Sequence, residues 1–164
     1  MEHMTFVQFI TAYNTLFKEG DSLYHSLAKR FGLSDTAFWI LYILKESGNE
    51  ITQTELCATL CLSKQTINSA LKVLSGAGYI SLEVPRGKHR SKYLSLTPAG
   101  REFIRGTIDL VFQMEEEAYK GLSEEERRAL LSLLRRYLDL LDRAAQPILK
   151  SHQEEPVSNA DQTL

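Results

Sequence analysis

Residues 51–100 read ITQTELCATLCLSKQTINSALKVLSGAGYISLEVPRGKHRSKYLSLTPAG, and this pattern organises the whole chain. A short strand is predicted to begin at Ile51. Thr52 and Glu55 have the spacing of a capping box, so a helix should begin there and run to about residue 60. Ser63 can cap a second helix, which the glycines after residue 75 should end. The segment therefore begins with two short helices joined by a turn.

A basic hairpin follows the two helices. Residues 79–84 and 92–96 alternate between apolar and polar side chains, which predicts two strands, and the turn at 85–91 is rich in basic residues. Thr97 can cap a further helix with Pro98 at its first position. This order of elements predicts a winged helix-turn-helix, in which one helix can enter a DNA major groove and the hairpin can reach the flanking backbone.

Longer helices are predicted on both sides of this segment. Apolar side chains recur every three or four residues across 5–30, and residues 35–47 are apolar nearly all round, which predicts a helix in the middle of the fold. One continuous helix is predicted over 98–120. A leucine-rich helix is then predicted over 123–145, beginning with a second capping box.

The charge of the chain is unevenly distributed. The whole chain has a net charge of −2, but residues 63–105 hold eight Lys or Arg and two Glu, a net charge of +6. The remainder is therefore acidic. A basic segment within an acidic protein is typical of a localised DNA-binding face, although a solvated hairpin with no partner would look similar.

Several classes of protein are excluded by what the sequence lacks. No run of about 18 apolar residues predicts a transmembrane helix, and the first residues lack the pattern of a signal peptide. Cys57 and Cys61 are the only cysteines, which argues against a disulfide framework and fits a cytoplasmic protein. No nucleophile elbow, phosphate-binding glycine loop or metal-ligand cluster is present, so we predict no enzyme activity, cofactor or metal.

Four blocks of the chain resemble the MarR family of bacterial transcription regulators. They are residues 52–56, 60–67, 74–80 and 94–100, and with the flanking helices the resemblance covers about 5–146. It implies a sequence-specific regulator, most often a repressor, that binds a pseudo-palindromic operator in double-stranded DNA and is released by a small-molecule effector. The alternative is a winged-helix module that docks on another protein and does not read DNA, against which the +6 segment argues.

The outer helices carry more apolar surface than a domain of this size can hide within itself. In the resembled family such helices intertwine across a two-fold axis, which implies a homodimer, whereas a self-contained bundle would show the same stripes. We predict a mainly α fold with a small β-hairpin wing, divided into an N-terminal dimerisation helix (1–33), a winged helix-turn-helix DNA-binding domain (34–100), C-terminal dimerisation helices (101–146) and a disordered tail (147–164).

Candidate DNA contacts lie on the second helix of the pair and on the wing. Amide and ammonium groups there suit base edges, and hydroxyl groups and lysine near the helix start suit phosphates, helped by the helix dipole. An ordinary solvent-exposed polar face would carry similar residues, but the adjacent basic hairpin favours DNA. The predicted DNA-binding residues are Thr52, Ser63, Lys64, Gln65, Thr66, Asn68, Ser69, Lys72, Arg86, Lys88, His89, Arg90 and Lys92.

Two positions depart from the family pattern. The wing of the family commonly carries an Asp two residues before an Arg that lies in or near the minor groove. Arg90 matches that Arg, but Lys88 takes the Asp position, so a more diffuse phosphate contact is expected here. Ser69 stands where many relatives place an Arg in the recognition helix. Both departures concern which DNA sequence is preferred.

The resemblance also implies an effector, since many members bind a small aromatic or phenolic molecule between the dimer helices and the DNA-binding lobe. The side chains that could line such a cleft are Tyr13, Phe17, His25, Phe38, Trp39 and Tyr42. The alternative is that these aromatic residues form core, with His25 as a hydrogen-bonded structural residue. Thiol redox sensing by Cys57 and Cys61 is a further alternative, although buried cysteines are usually inert.

Overall fold

The computed structural model describes residues 3–48, 51–83 and 93–151. It comprises two compact units, Met1–Gln113 and Met114–Leu164. The elements in chain order are α1 (Phe6–Arg30), α2 (Asp35–Glu46), β1 (Ile51–Thr52), α3 (Gln53–Leu60), α4 (Lys64–Gly76), β2 (Ile80–Glu83), β3 (Tyr93–Leu96), α5 (Pro98–Arg105), α6 (Ile108–Lys120) and α7 (Glu124–Ser151). The prediction of a mainly α protein with a small β-hairpin is confirmed.

The predicted helix starts are also confirmed, and each is set by a polar side chain. Ser34, Thr52, Ser63 and Thr97 each accept a hydrogen bond from the backbone N–H three residues further on. These bonds satisfy donors that a helix leaves unpaired at its first turn. Local sequence chemistry therefore determines where these four helices begin.

The three strands form one antiparallel sheet in the order β1-β3-β2. Leu94 pairs with Ile51 on one side and with Leu82 on the other, and Ile80 pairs with Leu96. The sheet is joined to α5 by a close approach at Gly100, where a Cβ would overlap the carbonyl oxygen of Tyr79. A residue without a side chain is therefore required at that position.

The core of the first unit surrounds α2. Phe38, Ile40, Leu41 and Leu44 of that helix are all fully buried, as its nearly uniform apolar composition predicts. Side chains from the other elements complete this core, among them Leu56, Ile67, Leu74, Leu94 and Ile108. The helix-turn-helix and the sheet therefore rest on one shared apolar centre.

The single helix predicted over 98–120 is wrong, because the chain breaks between α5 and α6. Gly106 ends α5, and the Thr107 hydroxyl donates to the carbonyl oxygen of Phe103 at 2.8 Å. The Thr107 carbonyl then accepts from the N–H groups of Leu110 and Val111 as α6 begins. Glycine has low helix propensity and a threonine hydroxyl competes for helix carbonyls, which accounts for the break.

The predicted end of the last helix near 145, with a disordered tail from 147, is wrong for residues 147–151. Helix α7 continues through Pro147 to Ser151. A proline removes one backbone donor, but the helix before it is tied by a 3.2 Å hydrogen bond from Gln146 to Asp142, and Leu149 and Lys150 favour helix after it. Residues 152–164 lie outside the described part of the chain.

The first and last helices leave their apolar side chains in solvent. In α1 only Ala28 is buried, and Phe6 and Leu16 are 76% and 68% exposed. In α7 no residue is buried, and Leu131 is 69% exposed. Within the described ranges, no helix is long and apolar enough to cross a membrane. The predicted excess of apolar surface on the outer helices is confirmed.

Candidate nucleic-acid interface

Helix α4 has two distinct faces. Ile67, Ala70, Leu71 and Leu74 are buried, at the three- and four-residue spacing of one helix face. The remaining polar residues of the helix are exposed, namely Lys64, Gln65, Thr66, Asn68, Ser69, Lys72 and Ser75. The structure thus presents the predicted α4 side chains together on one open surface, while their contact with DNA stays a prediction.

The start of α4 is arranged around Ser63. Its Oγ accepts from the Thr66 N–H at 3.2 Å and lies 2.9 Å from the Thr66 hydroxyl. The other N–H groups of the first turn have no partner within the helix and stand at the positive end of its dipole. Such a helix end can accept an anionic oxygen, although Ser63 itself already serves as the cap.

A hydrogen bond that the sequence did not predict orients Asn68. The Gln53 Nε2 donates to the Asn68 Oδ1 at 2.5 Å, across the helix-turn-helix. With its oxygen occupied, the Asn68 amide has its NH2 hydrogens left for a further acceptor. Gln53 is therefore a positioning residue. No spacing in the sequence indicates it, because the contact depends on how α3 crosses α4.

Thr52 acts as the cap of α3. Its hydroxyl donates to Glu55 Oε2 at 2.7 Å, and its backbone N–H donates to the same oxygen at 2.7 Å. These two bonds from Thr52 hold the pKa of the Glu55 carboxyl below its usual value. The Thr52 hydroxyl is thus already engaged, which gives this predicted DNA-binding residue a structural role.

A groove of about 420 Å³ runs beside the exposed face of α4. Ser34 and Thr36, at the start of α2, line it together with Gln65, Thr66 and Ser69 of α4. Ser34 was predicted only as a helix cap, and Thr36 was not predicted at all. Their hydroxyl groups extend the polar surface of α4 onto a second helix.

The wing residues of the predicted interface lie outside the described residues. They are Arg86, Lys88, His89, Arg90 and Lys92. Strands β2 and β3, which flank them, are paired in antiparallel register from Ile80 to Glu83 and from Tyr93 to Leu96. The two strands that flank the wing residues are therefore paired, and the role of the basic side chains between them stays a prediction.

Among the aromatic residues proposed for an effector cleft, the rings of Phe38, Trp39 and Tyr42 contact one another, with centroids 5.2–6.4 Å apart. Phe38 is fully buried, and the Tyr42 ring lies tilted against the Phe112 ring with centroids 4.7 Å apart, as the core alternative predicts. Tyr13 and Phe17 contact each other at 4.6 Å. Trp39 and His25 of this set line a cavity of about 390 Å³ with Asp21, Ser22, Tyr24 and Asp35.

His25 is held by a carboxylate. Its Nδ1 lies 2.9 Å from one Asp35 oxygen and 3.0 Å from the other, and both side chains are more than half exposed. This bond joins α1 to the first turn of α2. The hydrogen bond expected of His25 is present, with Asp35 as a partner that the sequence did not indicate, while the place of His25 in an effector site stays a prediction.

Cys61 lies at the turn between α3 and α4. Its φ is +52°, a left-handed conformation that glycine adopts more easily, and its side chain is exposed. Cys57 is half-buried, one helical turn earlier. Among the described residues, no group of three or more metal-ligating side chains could hold a metal ion.

The helix pair α3–α4, followed by the paired strands β2 and β3, defines a winged helix-turn-helix fold. A sequence profile of the MarR family matches residues 31–91. The transcriptional repressor MprA of Escherichia coli is 26% identical over 123 residues, which covers 74% of this chain and 70% of MprA.

Solved structures show the same fold. The S. aureus MepR–DNA complex matches with a TM-score of 0.63 and 20% identity, covering 85% of this chain and 99% of that one. The Staphylococcus aureus MarR protein in complex with salicylate and kanamycin matches with a TM-score of 0.63 and 19% identity, covering 83% and 91%. Over residues 31–91 the chain is therefore similar to the MarR family of transcription regulators, and the solved structures share its fold.

Proposed function

We propose that this protein is a homodimeric repressor that reads a pseudo-palindromic operator and leaves it when a small effector binds. The observation that carries the proposal is the exposed face of α4, where Asn68 and Lys72 project from a helix whose opposite face is fully buried. A rigid helix with an open polar face suits a major groove. The repressor assignment is supported by the similarity to MprA.

Asn68 is the side chain we expect to read a base. Because Gln53 donates to its oxygen, Asn68 is set to donate its amide hydrogens. In the major groove, guanine offers N7 and O6 as acceptors, adenine offers N7 and thymine offers O4, whereas cytosine offers none. We therefore expect each half-site to contain a base with such an acceptor opposite Asn68. The similarity of the fold to the MepR–DNA complex supports DNA as the partner.

Phosphate contacts would supply the remaining affinity. Lys64 lies at the start of α4 beside the free N–H groups. Ser34 and Thr36 line the neighbouring groove together with Gln65, Thr66 and Ser69. The wing adds Arg86, Lys88 and Arg90 in sequence. Contacts of this kind position the protein without selecting bases, and they make the affinity depend on salt.

A homodimer explains the exposed apolar side chains of α1 and α7. Leucine and phenylalanine side chains that are about half or more exposed on two long helices are costly in water and are usually covered by a partner. A second copy offers the same surfaces in complementary positions around a two-fold axis. Two copies would then place two α4 helices on two half-sites.

The test is selection of bound duplexes from a random DNA pool by the full-length protein at near-physiological salt. We expect an inverted repeat whose half-sites are about one helical turn apart. Enrichment of a single, unrepeated half-site would contradict the dimer. Failure to enrich any sequence, with only weak and salt-sensitive binding, would contradict sequence-specific reading and favour the protein-interaction alternative.

A further inference from the structure

The cavity between α1 and α2 takes no part in the proposed reading of DNA. It has a volume of about 390 Å³, within the size range of small-molecule sites. Tyr24 and Trp39 form its aromatic wall, with ring centroids 5.0 Å apart. Asp21, Ser22, His25 and Asp35 complete its lining. The cavity therefore combines aromatic faces with carboxylates.

The charge of this lining is negative. Asp21 and Asp35 are carboxylates, and His25 is the one lining side chain able to carry a positive charge. His25 is already hydrogen-bonded to Asp35 at 2.9 Å. Asp21 has no ion-pair partner among the residues that the structure describes. A ligand in this cavity would thus meet an uncompensated carboxylate.

We propose that this cavity binds an aromatic organic cation, such as an arylammonium compound. The π faces of Trp39 and Tyr24 attract a cation, and Asp21 supplies the opposite charge. A carboxylate or phenolate ligand would face two negative charges with neither Lys nor Arg in the lining to offset them. The inference rests on the proposed function, since it names the chemical class of the effector.

The test uses the fluorescence of Trp39, which is the single tryptophan of the chain. The full-length protein is titrated with phenyltrimethylammonium and, separately, with salicylate as an anion of similar size. We expect a saturable fluorescence change with the cation and weaker binding of salicylate. Tighter binding of salicylate, or no saturable response to the cation, would overturn the inference.

Variants locate the cation within the cavity. Asp21→Asn should weaken phenyltrimethylammonium binding about threefold to fivefold, the effect of removing one partly exposed charge partner. Glu19→Gln is the matched control, because Glu19 is exposed on the same helix and does not line the cavity. Asp35→Asn should weaken binding similarly, but Asp35 also lies in the first turn of α2, so Asp21→Asn is the deciding variant. Equal affinities of Asp21→Asn and wild type would contradict the assignment.

A second measurement separates this inference from the proposed function. Binding of a selected operator duplex is followed by fluorescence anisotropy, with and without phenyltrimethylammonium. Cation binding that releases the duplex supports both ideas, and cation binding without release supports the cavity but contradicts effector control through it. Operator binding by a protein that does not bind the cation overturns the cavity inference and leaves the regulator intact.

Discussion

Helices α2 and α7 are both rich in apolar side chains, yet most of those of α2 are buried and none of those of α7 is. Half of the residues of α2 are buried, including Phe38 and Leu44 at no measurable exposure, whereas α7 has no buried residue over 28 positions. Helix α2 is apolar nearly all round, while α7 alternates leucines with charged residues. Helix α2 therefore holds its own chain together, whereas the exposed apolar side chains of α7 are available to a second chain.

The largest expected difference comes from matched leucine truncations in these two helices. Leu44→Ala should lower the free energy of unfolding by about 2–5 kcal/mol, because it leaves a cavity in a packed core. Leu131→Ala, at a site 69% exposed, should change the unfolding of the isolated chain by less than about 0.5 kcal/mol. Urea denaturation measures both.

The same pair tests the dimer. In sedimentation equilibrium, Leu131→Ala should weaken self-association, while Leu44→Ala should act mainly on folding. Equal losses of folding stability in both variants, with no change in association, would show that α7 is covered within its own chain. The two helices would then not differ in the way described.

A second pair of substitutions compares a glycine in a packed position with a glycine in the outer helix α1. Gly100→Ala should destabilise the first unit by about 1–3 kcal/mol, since the new Cβ would overlap the Tyr79 carbonyl and the sheet must shift. Gly20→Ala, within α1 and with no neighbouring atom within 4 Å, should stabilise by about 0.5–1 kcal/mol. Thermal unfolding would reveal the opposite signs, and a shared sign would refute the packing described at Gly100.

A smaller effect is expected at the turn that leads into α4. Cys61→Gly should stabilise the protein by about 0.5–1 kcal/mol, because glycine adopts a φ of +52° without the penalty that a Cβ brings. Cys57→Gly, one helical turn earlier in α3, should instead destabilise it by about 1 kcal/mol. Loss of stability in Cys61→Gly would mean that contacts of the cysteine side chain stabilise the fold by more than its left-handed backbone conformation costs.

The smallest effect is a pH dependence at the cap of α3. Hydrogen bonds from Thr52 lower the folded-state pKa of Glu55 below its ordinary value of 4.5. The carboxylate therefore contributes stability above that ordinary value, and the contribution is lost as the pH falls through the lowered pKa. Glu55→Gln keeps an acceptor for the capping box but cannot titrate. Comparison of acid unfolding curves should show a shallower pH dependence below about 4.5 in Glu55→Gln than in wild type.

Features with a local cause were predictable from sequence. The caps at Ser34, Thr52 and Ser63 and the buried character of α2 follow from residue type and spacing, and the structure has them as predicted. The break at Gly106 was missed because the apolar pattern continues across it. The end of α7 was missed because the leucine-rich pattern stops near residue 145, whereas the helix continues through Pro147 to Ser151.

The candidate site divides in the same way. The exposed polar face of α4 was predictable, because the polar residues that lie off the buried apolar stripe of a helix must face solvent. The bond from Gln53 to Asn68 joins residues 15 apart in sequence, and the bond from His25 to Asp35 joins residues 10 apart on two helices. Such contacts depend on how helices cross. They decide which atoms of Asn68 are free and how the cavity beside Trp39 is charged.

Parallel selections test most directly the central claim that the exposed face of α4 reads DNA. Wild type, Asn68→Ala and the control Ser75→Ala, which alters the exposed C-terminal end of the same helix, would each select duplexes from one random pool. We predict that Asn68→Ala keeps the inverted repeat but loses preference at one position in each half-site, at a cost of about 1–3 kcal/mol in discrimination, while Ser75→Ala matches wild type. Identical preferences in Asn68→Ala and wild type would contradict the claim.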